Sequence, residues 1–468
     1  MNDILFSPEE LVSACNGRRL AGANAAFAGV SSVITDSRKD CSGALFIPLK
    51  GESFDGHEFI SAAVANGAAA VLSEPGRVTT ELQNRVIVIE VEDTTQAYQD
   101  LALFHRLRFR DLKVVAVTGS SGKTSTKEMM RAIFVAAYGE DAVLATEGNT
   151  NNQVGVPQNL LRLTSRHRIA VLEMGTNHHG EIAPLSHMAR PDVAVITFIG
   201  NCHLEHLGSL DGVAAEKSMI FSSMNPTGTA VIPFAGHGMA VLEKKIRPYR
   251  KLRFGVDPAA DICCRYLGGH LHGSTVELDF KAFGRTVRFD WSLAGAHQAC
   301  NAAAAAAAAM ALDIQPETIA AGLAGCKLPG MRMRITQRDS GTVWINDAYN
   351  ANPDSMASSL RWLAEFAAER PLLLVLGDML ELGEYAADGH RQVLELAGKL
   401  FPLSRIVAVG REMAFAGKTI PPGLAARVVF CDDSSQAVDC IKTFISPGMT
   451  VFLKGSRGMK LEIIEQTL

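Results

Sequence analysis

An α/β chain folded as three domains is what this sequence predicts, on three observations. Short apolar runs rich in Val, Ile and Leu recur along the chain, as in sheets covered by helices on both faces. At 468 residues the chain exceeds one ordinary domain and suits two to four. The runs also fall into three groups, over residues 1–110, 111–328 and 329–468.

The first group is small. Its strand candidates, Ala44–Pro48, Ala69–Leu72 and Val86–Val91, are separated by turns and short helices. In the second group, strand candidates Val114–Thr118, Ile169–Met174, Val193–Thr197 and Thr229–Pro233 alternate with helical patterns, which predicts a mostly parallel sheet. Residues 250–292 instead alternate polar and apolar side chains, as in LDFKAFGRTVRFDW (278–291), and predict an antiparallel patch on one edge. The alanine-rich stretch Ala302–Leu312 reads as a tightly packed helix, because alanine has the best helix propensity and lets neighbours approach closely. The third group has strand candidates Val343–Asn346, Leu372–Leu376, Ile406–Val409, Val428–Phe430 and Thr450–Leu453, a Rossmann-like series. The segment after its second strand, Gly377-Asp-Met-Leu-Glu-Leu-Gly383, lacks G-x-G-x-x-G, so nicotinamide binding has no support.

Composition removes several classes of function. A formal net charge of −4 leaves no basic excess to neutralise nucleic-acid phosphates. The Ala302–Leu312 run falls short of the roughly 18 residues that span a bilayer, so no membrane insertion is expected. The N-terminal MNDILFSPEELVSAC has no basic segment followed by an apolar one, so no signal peptide is expected. Nine cysteines without a CxxC pair suit reduced, buried thiols in a cytoplasmic protein better than disulfides or a zinc site.

The strongest chemical signal is TGSSGKTS (118–125), directly after a strand and opening a helix. Backbone N–H groups of Gly119, Ser120, Ser121 and Gly122 can close around phosphate oxygens there, backed by the helix dipole. Lys123 is placed for the β/γ-phosphates and Thr124 for Mg²⁺. The loop is a shortened P-loop, because Val117 stands where the full motif has its first glycine. Glu173 ends the next strand candidate, a position suited to Mg²⁺. His203 and His206 follow the strand Val193–Thr197; their spacing alone gives a zinc reading little weight, since no third ligand is suitably spaced. Lys217, taken alone, is one lysine on a helix face.

These motifs together resemble the Mur ligase family. TGSSGKTS, LEMGTNHHGEI (172–182), NCHLEHLGSLDGVAAEKSMIF (201–221), GAHQACNAAAA (295–305), GMRMR (330–334) and NDAYNANPDSM (346–356) occur in the family's order across nearly the whole chain. Thr35-Asp-Ser-Arg38 with LFIPLKGESFDGHEF (45–59) looks like the family's uridine-nucleotide-binding domain. Asp347–Ser355 looks like the branch that adds D-alanyl-D-alanine to UDP-N-acetylmuramoyl-tripeptide, and the DNPR tetrapeptide of diaminopimelate addition is absent.

The resemblance implies ATP contacts from Gly119 through Ser125, from Asn301 beyond His297, from Arg332 at the γ-phosphate and from Asp347 near the ribose. It implies two Mg²⁺ ions, one at Thr124 and Glu173, the second at His203 and at Lys217 converted to a carbamate. Catalysis then falls to Lys123, His203, Lys217 and Arg332. The UDP substrate would meet Ser37, Arg38, Lys50, Asp55, Gly56, His57, Asn149, Asn151 and Asn152. Asn350, Asn352, Lys454 and Arg457 are the candidates for peptide or D-alanyl-D-alanine. Two positions depart from the family: Gln298 stands where an asparagine is usual, and His206 where a glycine is common. The expected protein is a cytoplasmic, monomeric ATP-dependent ligase. Its nearest rival is folylpolyglutamate synthase, which would not explain residues 35–59 or 346–356. A nucleotide-switched binding protein is the other rival, and neither an N-K-x-D nor an L-S-G-G-Q motif supports it.

Overall fold

The protein is described from a computed structural model covering residues 4–20, 27–51, 54–270, 273–293, 295–330, 333–367 and 371–468. The chain packs as two compact units, residues 1–112 with 146–167 and 187–189, and the remainder. Among the described residues no helix is long and apolar enough to cross a membrane.

The first unit holds a five-stranded sheet. Its strands are β1 (Arg18–Arg19), β2 (Ser32–Ile34), β3 (Ala44–Phe46), β4 (Ala70–Ser73) and β5 (Ile87–Glu90), in the order β1-β5-β4-β3-β2. All neighbours are parallel except the β1–β5 pair. β3 and β4 are buried along their length, which matches their continuous apolar runs. The helix Thr94–Leu107 covers one face with Ala97, Tyr98 and Leu101. It is capped by Asp93, whose carboxylate accepts from the amides of Thr95 and Gln96.

The second unit carries two sheets. The larger contains β6 (Lys113–Thr118), β7 (Val143–Ala145), β8 (Ile169–Glu173), β9 (Val193–Ile196), β10 (Thr229–Pro233), β11 (Arg250–Gly255), β12 (Ile262–His270), β13 (Gly273–Phe280) and β14 (Arg285–Trp291). Their order is β14-β13-β12-β11-β10-β9-β6-β8-β7. The antiparallel patch expected over 250–292 needs one correction: β11 runs parallel to both β10 and β12, and antiparallel pairing begins at β12–β13. Alternation reports a sheet with one covered face; it does not report pairing direction. In β11, Leu252 and Phe254 are buried and Arg250 and Lys251 exposed, so a parallel strand with one covered face shows the same pattern. The helix Ala296–Met310 supplies part of that cover. Ala302 through Ala309 are fully buried against Met129, Met130, Ile133 and Phe134 of the helix Lys123–Tyr138 and the β strands.

The last sheet contains β15 (Arg334–Gln337), β16 (Val343–Asn346), β17 (Leu372–Gly377), β18 (Arg405–Val409), β19 (Val428–Cys431) and β20 (Thr450–Lys454), ordered β15-β16-β20-β17-β18-β19. Only the edge strand β15 is antiparallel. In both large sheets the phosphate loop and its counterpart, Asp378–Gly383, follow the carboxyl ends of central parallel strands, where such sheets bind ligands.

Candidate active site

The phosphate loop is shaped by two glycines that cannot be replaced without strain. Gly119 has φ +155, and a Cβ there would lie 1.9 Å from Thr197 Oγ1. Gly122 has φ +81, and its Cβ would lie 2.3 Å from Asn301 Oδ1. The loop between them is tied to the end of β9. Ser120 N donates to Phe198 O at 2.8 Å, Ser120 Oγ to Gly200 O at 3.0 Å, and Thr197 Oγ1 to Ser121 O at 2.5 Å. Lys123 opens the following helix and arches back to donate to Gly119 O at 2.7 Å. The Ser120 amide, expected to turn toward phosphate, is instead committed to Phe198 O, because that bond ties the loop to the end of β9; the amides of Gly119, Ser121 and Gly122 and the Lys123 ammonium are the donors left at this helix N-terminus.

β8 lies parallel beside β6 with Glu173 in register with Val117, which brings a buried carboxylate to the root of the loop. Thr124 and Ser125 lie in the first turn of the helix, with Ser125 buried. Asn301 rests on Gly122, and its Nδ2 donates to Gln298 Oε1 at 3.0 Å. The unusual Gln298 is thus buried and joined to Asn301 as an amide pair beside the loop.

Lys217 ends the helix Leu210–Lys217 and is completely buried. Its Nζ has no hydrogen-bond partner. The neighbouring Glu216 makes no hydrogen bond to it; that carboxylate accepts from Gly180 N at 2.7 Å and Ile182 N at 2.9 Å. Burial, reinforced by the charge of Lys123 and opposed by Cys202 and Glu216, pulls the Lys217 amine down to about 8. A sizeable neutral fraction of this amine therefore exists near neutral pH. His203 caps the short helix Leu204–Leu207 in a left-handed conformation, φ +50, and its Nδ1 lies 2.9 Å from Glu381 Oε2. His206 lies against His178, the rings tilted by 39° with centroids 4.3 Å apart.

Among the described residues no group of three His, Cys, Asp or Glu side chains could hold a metal ion. The chemistry of the nearby donors still suits a hard cation: a Thr124 hydroxyl, a Glu173 carboxylate, the His203 imidazole and the unpartnered Lys217 amine. They fit Mg²⁺ if Lys217 becomes an anion.

Asp347, at the end of β16, accepts from Met333 N at 3.2 Å, Ser359 Oγ at 2.7 Å and Lys454 Nζ at 2.5 Å. Lys454 is buried and committed to that carboxylate, and Arg457 pairs with Glu462. Asn352 caps the helix Pro353–Ala367 by accepting from Ser355 N at 2.8 Å, and Asn350 Oδ1 accepts from Ala351 N. Arg332 lies outside the described residues. His297 is half-buried one helical turn from Asn301; desolvation, reinforced by the charge of Lys454 and opposed by Asp347, takes its imidazole down to about 4.

The expected UDP residues all belong to the first unit, including Asn149, Asn151 and Asn152 from the segment 146–167. Ser37 is buried, and its carbonyl accepts from Asn66. Arg38 is exposed and forks onto Asp36 at 2.8 Å. Asp55 caps the turn Gly56–Phe59, its Oδ1 2.7 Å from His57 Nδ1, while His57 Nε2 accepts from Glu74 N. A Cβ on Gly56 would lie 2.4 Å from Leu49 O. Lys50 pairs with the same Glu74 at 2.5 Å. Asn152 Oδ1 accepts from Val154 N at 3.1 Å and Gly155 N at 2.9 Å in the turn before the helix Gly155–Leu160. Asn151 Nδ2 donates to Asn149 Oδ1 at 3.3 Å.

Sequence reasoning missed Glu381, which faces His203, and the Gln298–Asn301 pair. The i, i+3 spacing of the two amides on a helix was the available signal for the second.

Three family profiles match the chain in order. They are the Mur ligase family catalytic domain over residues 29–106, the Mur ligase middle domain over 117–309 and the Mur ligase glutamate ligase domain over 331–457. The UDP-N-acetylmuramoyl-tripeptide–D-alanyl-D-alanine ligase of Bacillus subtilis (strain 168) is 36% identical over 94% of this chain and 93% of its own. The crystal structure of MurF from Acinetobacter baumannii superposes with a TM-score of 0.89 at 31% identity, covering 99% of this chain and 98% of that one. MurF ligase from Thermotoga maritima in complex with ADP superposes with a TM-score of 0.81 at 26% identity, over 93% and 96% of the two chains. Sequence and fold agree, and the chain belongs to the Mur ligase family.

Proposed function

We propose that the chain uses ATP to join D-alanyl-D-alanine to UDP-N-acetylmuramoyl-tripeptide, releasing UDP-N-acetylmuramoyl-pentapeptide, ADP and phosphate. The observation that carries this reading is near-full-length similarity to a relative so named, with the phosphate loop intact. The activity is a step of peptidoglycan precursor synthesis, and through it serves cell-wall growth, cell shape and division. Nine free cysteines suit a reducing cytoplasm, and the working form is taken to be a monomer. We take the functional boundaries to lie near residues 110 and 328, a reading supported by the gaps between the three sheets.

A carboxylate does not condense with an amine in water because oxide is a poor leaving group. Transfer of the γ-phosphoryl group of ATP to the tripeptide carboxylate gives an acyl-phosphate, and attack by the uncharged amine of D-alanyl-D-alanine expels phosphate. In this reading the amides of Gly119, Ser121 and Gly122 hold the phosphates with Lys123, and Asn301 and Gln298 border the adenine. Arg332 adds charge at the γ-phosphate in the manner of an arginine finger. Asp347 acts near the ribose, partly by fixing Lys454. Ser37, Arg38, Lys50, Asp55, Gly56, His57, Asn149, Asn151 and Asn152 serve the UDP moiety, and Asn350, Asn352, Lys454 and Arg457 the peptide end. Two Mg²⁺ ions, when bound, neutralise the transferring phosphoryl charge. Thr124 and Glu173 would hold one, His203 and Lys217 the other. The neutral Lys217 amine adds carbon dioxide and loses a proton, which turns an unpartnered buried base into a two-oxygen anion.

ADP release tests the reading. With UDP-tripeptide present, D-alanyl-D-alanine should drive ADP formation, and glutamate or diaminopimelate should not. ADP release that ignores the UDP-tripeptide, or that prefers another amine, overturns it.

A further inference from the structure

Two thiols meet where the helix Ala296–Met310 crosses β12. Cys264 lies in β12, in register with Leu278 of β13, and is buried. Its Sγ–H donates to Cys300 Sγ at 3.7 Å. Cys300 stands near the start of the helix and is only half-buried. The next residue is Asn301, whose Oδ1 abuts Gly122 of the phosphate loop and whose Nδ2 donates to Gln298. A change at Cys300 is therefore made one residue from a contact with that loop.

Packing alone would treat both thiols as small apolar side chains. Their chemistry is unequal, however. The hydrogen bond from Cys264 holds the Cys300 thiol below its ordinary value, against burial, and so favours its nucleophilic thiolate. The same bond, and then burial, push the Cys264 thiol up. The more exposed sulfur is thus also the more reactive one. A disulfide spans about 2.05 Å, so the two sulfurs would have to approach by about 1.7 Å from their 3.7 Å contact. β12 is held on both sides, by β11 and β13, and Ala302–Ala309 pin the body of the helix in the core. The first turns of the helix, which carry Cys300 and Asn301, are the part left to yield.

We propose that Cys264 and Cys300 are an oxidisable pair through which a hydroperoxide lowers the affinity of the phosphate loop for ATP. The Cys300 thiolate attacks the peroxide, the O–O bond breaks, and Cys300 becomes a sulfenic acid as hydroxide or alkoxide leaves. The Cys264 sulfur then attacks the Cys300 sulfur; the S–S bond forms and water departs with the Cys264 proton. Two electrons have passed from the sulfurs to the peroxide, and a dithiol reductant returns them. Closing the disulfide draws Asn301 away from Gly122. In a reducing compartment a disulfide of this kind is transient, as redox-sensing ones are. The effect on ATP rests on reading the loop as the nucleotide site; formation of the disulfide does not.

The test treats the full chain with stoichiometric hydrogen peroxide and blocks free thiols with N-ethylmaleimide. Fragmentation mass spectrometry of the proteolytic peptides should find Cys264 joined to Cys300, and dithiothreitol should release them. Calorimetry should show ATP bound about tenfold more weakly by the oxidised protein, the worth of one lost hydrogen bond, with recovery on reduction. Cys264→Ala and Cys300→Ala should each keep their ATP affinity through the same treatment. Absence of the Cys264–Cys300 link, ATP affinity within about twofold of the reduced protein once the link has formed, or equal peroxide sensitivity in either folded variant overturns the inference and leaves the ligase reading intact. A reduced wild type that binds no ATP overturns the nucleotide reading and this inference with it.

Discussion

Replacing Lys217 by alanine tests the carbamate directly, and the structure sets its expected size. A fall of the amine from 10.5 to about 8 raises the neutral fraction near neutral pH about 300-fold over an ordinary lysine. Carbon dioxide reacts with that neutral form. Truncation removes roughly three buried methylenes, costing about 2.4 kcal/mol at ~0.8 kcal/mol each. It also removes a buried amine without a partner, which returns about 1–3 kcal/mol. The two nearly offset, so Lys217→Ala should remain folded with a thermal midpoint close to wild type. Turnover should fall by about two to three orders of magnitude, as when a preorganised electrostatic group is lost from a transition state. ADP release with both substrates present is the assay, repeated with added formate or acetate. Partial recovery by a small carboxylate is expected, because the missing group is an anion. Near-wild-type turnover, or recovery by amines and not by carboxylates, would refute the reasoning.

Three other outcomes follow from the same geometry. Lys123→Ala should lower turnover by at least about 100-fold, measured as ADP release by folded protein. Gly122→Ala forces a Cβ to within 2.3 Å of Asn301 Oδ1 at a positive φ, and calorimetry should show weakened ATP binding with UDP-substrate binding unchanged. His297 has its folded-state pKa pushed down to about 4 from 6.5, so the unfolded chain binds more protons between those values. Stability must then fall as pH drops through that window, by at most about 3.4 kcal/mol, and His297→Gln should flatten this part of a urea-midpoint profile.

Parallel strands such as β6 and β17 were legible because both faces are covered and the run of apolar residues is unbroken. β1, β2, β7 and β15 were not legible, being two to four residues long and largely half-buried or exposed. The phosphate loop was legible because its glycine requirement is local. Lys217 was not: GVAAEK gives a helix without marking which face is buried, and the absence of a partner at Nζ is set by distant elements. Glu381 escaped for a related reason. Its segment shows in sequence only what it lacks, the dinucleotide glycines, whereas its contact to His203 is created by packing. The basic turn at Lys454 and Arg457 looked free to meet substrate carboxylates, yet Lys454 is already spent on Asp347 and Arg457 on Glu462.

The central claim is that the tripeptide carboxylate passes through an acyl-phosphate. The most direct measurement uses UDP-N-acetylmuramoyl-tripeptide labelled with ¹⁸O in that carboxylate, incubated with ATP and D-alanyl-D-alanine, followed by mass spectrometry of the inorganic phosphate. The account predicts one ¹⁸O in each phosphate released, because the carboxylate oxygen leaves with the phosphoryl group when the amine attacks. Unlabelled phosphate, or label recovered in AMP, would contradict it.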